Sequence, residues 1–218
     1  MSLNAYVDGA PSTARRTSMP ESFSPQEVRR KLERLDNQPR SSWHSERDFA
    51  HRDLSASAVL IPLSEYDGDL HVLFTQRSHE LRNHSGEISF PGGRREVEDD
   101  SLAETALRES YEEIALLPSD VRLYGALTRI PTITGFQVTA YVGEFDHPYD
   151  LIINPDEIHL IFQAPLRELA DPAIHRVEER EFGGQVYPVH FFDWNGHVIW
   201  GATGFLLHTF LNYIGAKK

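Results

Sequence analysis

The chain has no cysteine, only two methionines, and no apolar stretch approaching the roughly eighteen residues that a membrane-spanning helix needs. Without cysteine, disulfides, thiol nucleophiles and cysteine-ligated zinc are excluded together. Positive charge is also scarce: 21 Lys and Arg stand against 33 Asp and Glu, for a formal charge of −12. Nonspecific nucleic-acid binding, which relies on many cations displacing counterions from phosphates, is therefore not expected, and neither is a membrane partner. The first twenty residues mix Ser, Pro, Arg and Asp with no apolar core, so no secretory leader is expected and the cytoplasm is the expected compartment. The usual nucleotide and hydrolase fingerprints are missing too: there is no P-loop, no Gly-x-Gly-x-x-Gly and no Gly-x-Ser-x-Gly elbow. None of the 11 histidines forms His-x-His or His-Glu-x-x-His, so no histidine zinc site is read from the sequence.

With 218 residues, of which 40% are hydrophobic and 25% charged, the chain can bury a sizeable single core. Residues 1–54 read as a polar N-terminal arm followed by a short helix and a connector, and residues 55–218 as the main domain. The short helix starts at Ser24 as N-cap, with Pro25 in its first turn, Glu27 closing a capping box, and Val28, Leu32 and Leu35 on one face. Strands are predicted at 58–61 and 70–74 around an Asp67-Gly68 turn, then at 87–90, 121–130, 136–145, 158–163, 185–192 and 197–200. Helices are predicted at 102–117 and 202–213, with a shorter turn near 166–170. This interleaving without a regular βαβ repeat points to an α/β (α+β) fold with a mixed sheet between helical layers. Trp194 and Trp200 are expected in the core.

The chemistry concentrates between Phe90 and Leu117. Ser101 and Glu104 make the capping-box pattern that starts a helix, and Pro118 opposes its continuation. At about 100° per residue, with Glu109 at zero, Glu112 falls near 300° and Glu113 near 40°, so three carboxylates share a face. Ala103, Leu107 and Ile114 lie near 120–160°, so core packing of that stripe fixes where the acids point. Crowded acids near the negative end of a helix dipole cost a few tenths of a kcal/mol each, a balance that a hard divalent cation reverses. A solvated acidic face is the alternative for this spacing alone.

The preceding Pro91-Gly92-Gly93 lets backbone approach a partner closely. Together, loop and helix resemble the Nudix box, Gly-x5-Glu-x7-Arg-Glu-U-x-Glu-Glu-x-Gly-U, where U is a bulky aliphatic residue. The helical half reads Arg108-Glu109-Ser110-Tyr111-Glu112-Glu113-Ile114-Ala115-Leu116. Fourteen residues rather than thirteen separate Gly93 from Arg108, the loop acid is read as Asp100, Ser110 replaces an aliphatic and Ala115 replaces Gly. The extra loop residue is similar to that of the coenzyme A pyrophosphatase subfamily. So is the upstream run Leu73-Phe74-Thr75-Gln76-Arg77-Ser78, Arg82, Gly86, Phe90-Pro91-Gly92-Gly93. The loop 95–99 departs from that subfamily's Asp-Pro-x-Asp, which leaves the substrate open.

The resemblance implies a Nudix-like α/β/α sandwich and a pyrophosphohydrolase using Mg²⁺ or Mn²⁺ held by Glu109, Glu112, Glu113 and the Gly93 carbonyl. A water deprotonated by Glu109 or Glu157 would attack one phosphorus. Glu157, in the acidic loop Asn154-Pro-Asp-Glu, is otherwise a turn former. Arg108 is expected to order the acidic face by pairing with Glu104 or Glu112. Arg77 and Arg82 are candidate phosphate contacts, with surface salt bridges as the alternative, and His84 is a further candidate substrate contact. The implied substrate is coenzyme A, giving 3′,5′-ADP and 4′-phosphopantetheine; NADH, ADP-ribose or another nucleoside diphosphate derivative, and a noncatalytic binding module, are the alternatives. A homodimer is also implied.

Overall fold

The computed structural model of the protein describes residues 6–7, 24–41, 53–80 and 84–215. Most of the N-terminal arm read from the sequence lies outside the described residues. A nine-stranded mixed sheet forms the centre. Its strands, in chain order, are β1 (Tyr6–Val7), β2 (Arg40–Ser41), β3 (Ser55–Tyr66), β4 (Asp69–Arg77), β5 (Ile88–Ser89), β6 (Gly92–Arg94), β7 (Arg122–Pro131), β8 (Phe136–Glu144) and β9 (Ile158–Pro165). Along the sheet the order is β1-β9-β4-β3-β8-β7-β2, with β5 beside β4 and β6 beside β3. β3 runs parallel to β8 and antiparallel to β4. A second sheet of three strands, β10 (His175–Phe182), β11 (Gln185–Trp194) and β12 (His197–Trp200), carries the last part of the chain.

Strand alternation sends side chains to two cores, which makes the architecture an α/β/α sandwich. On one face Ala58, Leu60, Leu73 and Tyr141 pack with Ala106 and Ile114 of helix α2 (Leu102–Ile114). On the other, Ile61, Leu63, Phe74, Ala140 and Phe162 pack against helices α1 (Pro25–Leu32) and α4 (Gly201–Tyr213) and the small sheet, with α3 (Leu166–Leu169) at the edge. The Asp67-Gly68 turn takes positive φ at both residues, 50° and 76°, as a two-residue hairpin requires, and sets the register Tyr66↔Asp69.

Ser24 caps α1 by accepting from the Glu27 amide at 3.3 Å, but the Glu27 carboxylate turns to Arg30 instead of closing the box. The α2 helix ends three residues earlier than Leu117, because Ala115 adopts a left-handed φ of 56° and its amide closes the last turn on Ser110 and Tyr111. β10 and β6 have no counterpart in the sequence prediction: the first is a highly charged edge strand and the second is two glycines and an arginine. Trp194 is buried as expected, whereas Trp200 is 42% exposed and stacks on Phe191, because it sits on the outer side of a small sheet covered on one face only.

Asp69 begins β4 in a buried setting, with the Arg167 Nε 3.4 Å away. Burial pushes its carboxyl up to about 6, against the lowering influence of Arg167 and the Leu70 amide. The folded chain therefore holds a proton there that the unfolded chain, titrating at the ordinary carboxylate pKa, has already released. Stability should fall by roughly 2 kcal/mol as pH rises from about 4 to 7, and Asp69→Asn should flatten that segment of the profile. Urea unfolding at a series of pH values measures it; an unchanged slope in Asp69→Asn would refute the assignment.

Candidate functional site

The site is built where β6, α2 and the loop before β9 converge. β6 is anchored on β3 by the register Ala58↔Gly93 and Val59↔Gly92, while the Leu60 amide donates to the Pro91 carbonyl at 2.9 Å. Ser101 caps α2 by accepting from the Glu104 amide at 3.1 Å, and the Glu104 carboxylate accepts from the Asp100 amide at 2.7 Å. Burial of Ala106 and Ile114 then aims Glu109, Glu112 and Glu113 toward β6.

The three carboxylates span a gradient of exposure. Glu113 is 1% exposed, and one of its oxygens accepts from the Gly92 amide at 3.2 Å while the other lies 3.9 Å from the Arg77 guanidinium. Burial pushes Glu113 up to about 8, against the Gly92 amide and Arg77, and the charges of Glu109 and Glu157 push the same way as burial. Glu109 is also raised, by burial first, with Arg108 opposing and Glu112 and Glu157 adding. Glu112 remains half exposed at the rim. A Cβ built on Gly93 would meet the Glu109 carboxyl at 2.5 Å, so only glycine allows this strand and that carboxylate to lie so close. Gly93→Ala should displace the Glu109 carboxylate, a flexible tip, rather than backbone. We expect activity to fall about a hundredfold with the melting temperature nearly unchanged, checked by paired kinetics and thermal melts.

Arg108 orders this face: of the two partners read in the sequence it takes Glu112 and not Glu104, and it adds Asp99. Its Nε donates to Asp99 Oδ1 at 2.9 Å and its Nη2 to Asp99 Oδ2 at 3.1 Å, while Nη1 donates to Glu112 at 3.0 Å and Nη2 also reaches the Arg94 carbonyl at 3.1 Å. Glu109 lies 3.1 Å from the same guanidinium, and Glu104 is engaged at the helix cap instead. The loop acid is therefore Asp99, not Asp100. Asp99 is buried and also accepts from the Thr105 hydroxyl and the Glu96 amide, and Arg108 holds its carboxyl far below the ordinary carboxylate range. Skipping seven residues back from Arg108 reaches Asp100; skipping five on from Gly93 reaches Asp99, so the extra residue falls between Asp99 and Arg108.

Glu157 comes to the acidic cluster from the loop just before β9. An Asx turn at Asn154 shapes its loop: the Asn154 side-chain oxygen accepts from the Asp156 amide at 3.2 Å, and the Asn154 carbonyl accepts from the Ile158 amide at 2.8 Å. The Asn154 amide donates to the Glu113 carbonyl at 2.8 Å, and the Ser78 amide donates to the Glu157 carbonyl at 2.7 Å. These bonds staple the loop to α2 and to the end of β4, and Glu157 is close enough for its charge to raise both Glu109 and Glu113. Arg77 joins the same cluster, and its Nε is buried with no hydrogen-bond partner among the described residues. His84, with φ 56°, instead pairs with Glu87 at 2.8 Å. Arg82 lies outside the described residues.

The donor set at this face is oxygen only, three carboxylates beside the glycine backbone of β6, with Glu109 and Glu113 raised by burial and by neighbouring carboxylates. That fits a hard divalent cation, which such ligands prefer. An α/β/α sandwich presenting this face is the scaffold of a divalent-metal-dependent hydrolase of phosphate anhydrides. The chain belongs to the Nudix family: residues 54–191 match the model of the NUDIX domain. It is a Nudix pyrophosphohydrolase, in a family that acts on small nucleotide substrates with divalent metals.

Among its relatives, Nudix hydrolase 15, mitochondrial, of Arabidopsis thaliana is 39% identical over 69% of this chain, a match spanning 55% of the plant protein. Uncharacterized Nudix hydrolase NudL of Pectobacterium atrosepticum is 34% identical over 70% of this chain and 79% of its own length. A MutT/nudix family protein from Enterococcus faecalis shares the fold at a TM-score of 0.50 and 15% identity, covering 89% of this chain and 75% of that one. No described helix is long and apolar enough to cross a membrane.

Proposed function

We propose that the protein hydrolyses the pyrophosphate of coenzyme A or its derivatives to 3′,5′-ADP and 4′-phosphopantetheine. Glu109, Glu112, Glu113 and the Gly93 carbonyl would hold Mg²⁺ or Mn²⁺, which when bound neutralises the diphosphate and polarises it toward attack. Arg77 would contact a phosphate oxygen. The single observation that carries this reading is the placement of Arg77. It belongs to the upstream run similar to the coenzyme A pyrophosphatases, and it stands beside Glu113 with a buried, unpartnered Nε. A guanidinium in that state gains from an anionic oxygen. Arg82 and His84 complete the candidate substrate contacts on sequence pattern alone.

The proton of the attacking water is assigned to Glu157 rather than Glu109. A carboxylate bound to a cation loses basicity, whereas Glu157 lies outside the helical trio and is oriented by the Asn154 side-chain amide at 3.3 Å. Residues 55–218 as the catalytic domain, a cytoplasmic location and a homodimer belong to the same proposal. Light scattering on the purified chain tests the dimer.

Incubation with coenzyme A, ADP-ribose and NADH, each with Mg²⁺ or Mn²⁺, followed by chromatography of the products, tests the substrate. Coenzyme A is expected to give the highest kcat/KM. Faster turnover of ADP-ribose or NADH would overturn the assignment while leaving the family chemistry in place.

A further inference from the structure

On the face of the main sheet opposite the acids, three histidines from three elements converge: His175 of β10, His190 of β11 and His208 of α4. One ligating atom from each lies within 4.8 Å of the others. We propose that this trio is a second metal centre, one that takes a borderline transition ion such as Zn²⁺ and clamps the small sheet to the C-terminal helix.

The fold builds the cluster deliberately. The register pairs His175 with Phe192 and Val177 with His190, so the two histidines are diagonal neighbours on one face of the β10–β11 ladder. His208 reaches them because Gly204, one turn earlier on α4, lets the helix approach the strand: a Cβ there would stand 2.4 Å from the His190 carbonyl oxygen. The His190 and His208 rings consequently stack with centroids 3.9 Å apart, and His175 Nε2 lies 3.0 Å from His190 Nδ1. His190 is buried and the other two are half-buried, so the cluster is partly desolvated yet reachable.

At Zn–N bonds of about 2.0–2.1 Å, tetrahedral ligand nitrogens sit about 3.3 Å apart. Side-chain rotations about the present geometry cover that difference. The short His175–His190 contact requires one nitrogen protonated and the other bare. When both bind an ion, each neutral ring keeps its one proton on the nitrogen turned away, so the change is a tautomer shift with no proton lost. Asn212, one turn beyond His208, meets its Nε2 at 2.9 Å. With the amide oxygen turned to that nitrogen, it holds the tautomer whose Nδ1 can ligate. An all-nitrogen set selects Zn²⁺, Ni²⁺ or Cu²⁺ over Mg²⁺ and Mn²⁺, the reverse of the acidic face.

The test uses the full chain stripped with EDTA and carrying Glu112→Gln to weaken the acidic face. Equilibrium dialysis should find one equivalent of Zn²⁺ bound, Zn²⁺ should raise the melting temperature, and Cu²⁺ in its place should show nitrogen hyperfine coupling by EPR. Adding His208→Gln or, separately, His190→Ala should remove that equivalent, the thermal shift and the nitrogen signal. His208→Gln alone, in the otherwise wild-type chain, should keep hydrolysis. Should His190→Ala unfold, His208→Gln decides. Zinc bound equally with and without the histidines, or no zinc bound in the Glu112→Gln protein, would overturn the proposal.

Discussion

Glu112→Gln is expected to lower kcat about a thousandfold while moving the melting temperature by no more than about 2 °C. Lewis-acid stabilisation of a phosphoryl transition state is worth several kcal/mol, and each 1.36 kcal/mol is tenfold in rate. Removing one charge from the trio forfeits much of that. The fold should not notice: Glu112 is half exposed at the rim, and its contact with Arg108 at 3.0 Å survives through the amide oxygen of glutamine. Kinetics with Mg²⁺ and with Mn²⁺, paired with thermal melts, check both halves. Turnover at the wild-type rate would remove Glu112 from the site.

Asp99→Ala should act the opposite way, on the fold first. Asp99 is buried, takes two bonds from Arg108 and one each from Thr105 and the Glu96 amide, and so ties the loop after β6 to α2. Its removal leaves a largely buried guanidinium facing emptied space, a change that costs about 3–4 kcal/mol. In a chain of this size that is a melting-temperature drop of about 10 °C. Activity should fall as well, since Arg108 would lose the anchor that fixes its guanidinium beside Glu109 and Glu112. The pH dependence follows from the sign of the shift. Arg108 holds the Asp99 carboxyl below its ordinary value, so the stabilisation is fully present above that value and disappears as acid protonates the folded-state group. Wild type should therefore lose more stability than Asp99→Ala between pH 5 and the acid limit. Equal losses, or a melting temperature within 2 °C of wild type, would falsify the keystone role.

Legibility followed physical range. Local signals held: the Ser101 and Glu104 cap, the Asp67-Gly68 turn and the strand runs of β3, β4 and β8 all act within a few residues, and each is where the sequence places it. The helix end at Ala115 is hidden in the sequence, because a left-handed turn that glycine usually takes is taken by alanine here and Pro118 marks a later stop. The site was half readable. Helical periodicity put three glutamates on one face, but it could not tell that Glu113 would be buried while Glu112 stayed at the rim, since that depends on how β6 lies across α2.

The Asp99 partnership was ambiguous for a different reason: an insertion between two motif halves can be counted from either end, and only the Arg108 contacts choose between Asp99 and Asp100. The histidine trio carries no sequence signature, because its members are 15 and 18 residues apart on a strand pair and a helix, and long-range register alone brings them together. β10 was missed because a charged edge strand lacks the apolar alternation by which a half-buried strand is recognised.

The central claim is that core packing of α2 holds three glutamates against β6 so that a divalent ion can bridge them to a diphosphate. Calorimetric titration of Mn²⁺ into the protein, with a methylene-bridged diphosphate nucleotide present, tests it directly in wild type and in Glu112→Gln. The account predicts saturable binding in wild type that strengthens with the nucleotide, and at least a tenfold loss of affinity in the variant. Identical titrations for the two proteins, or no heat of binding in either, would contradict it.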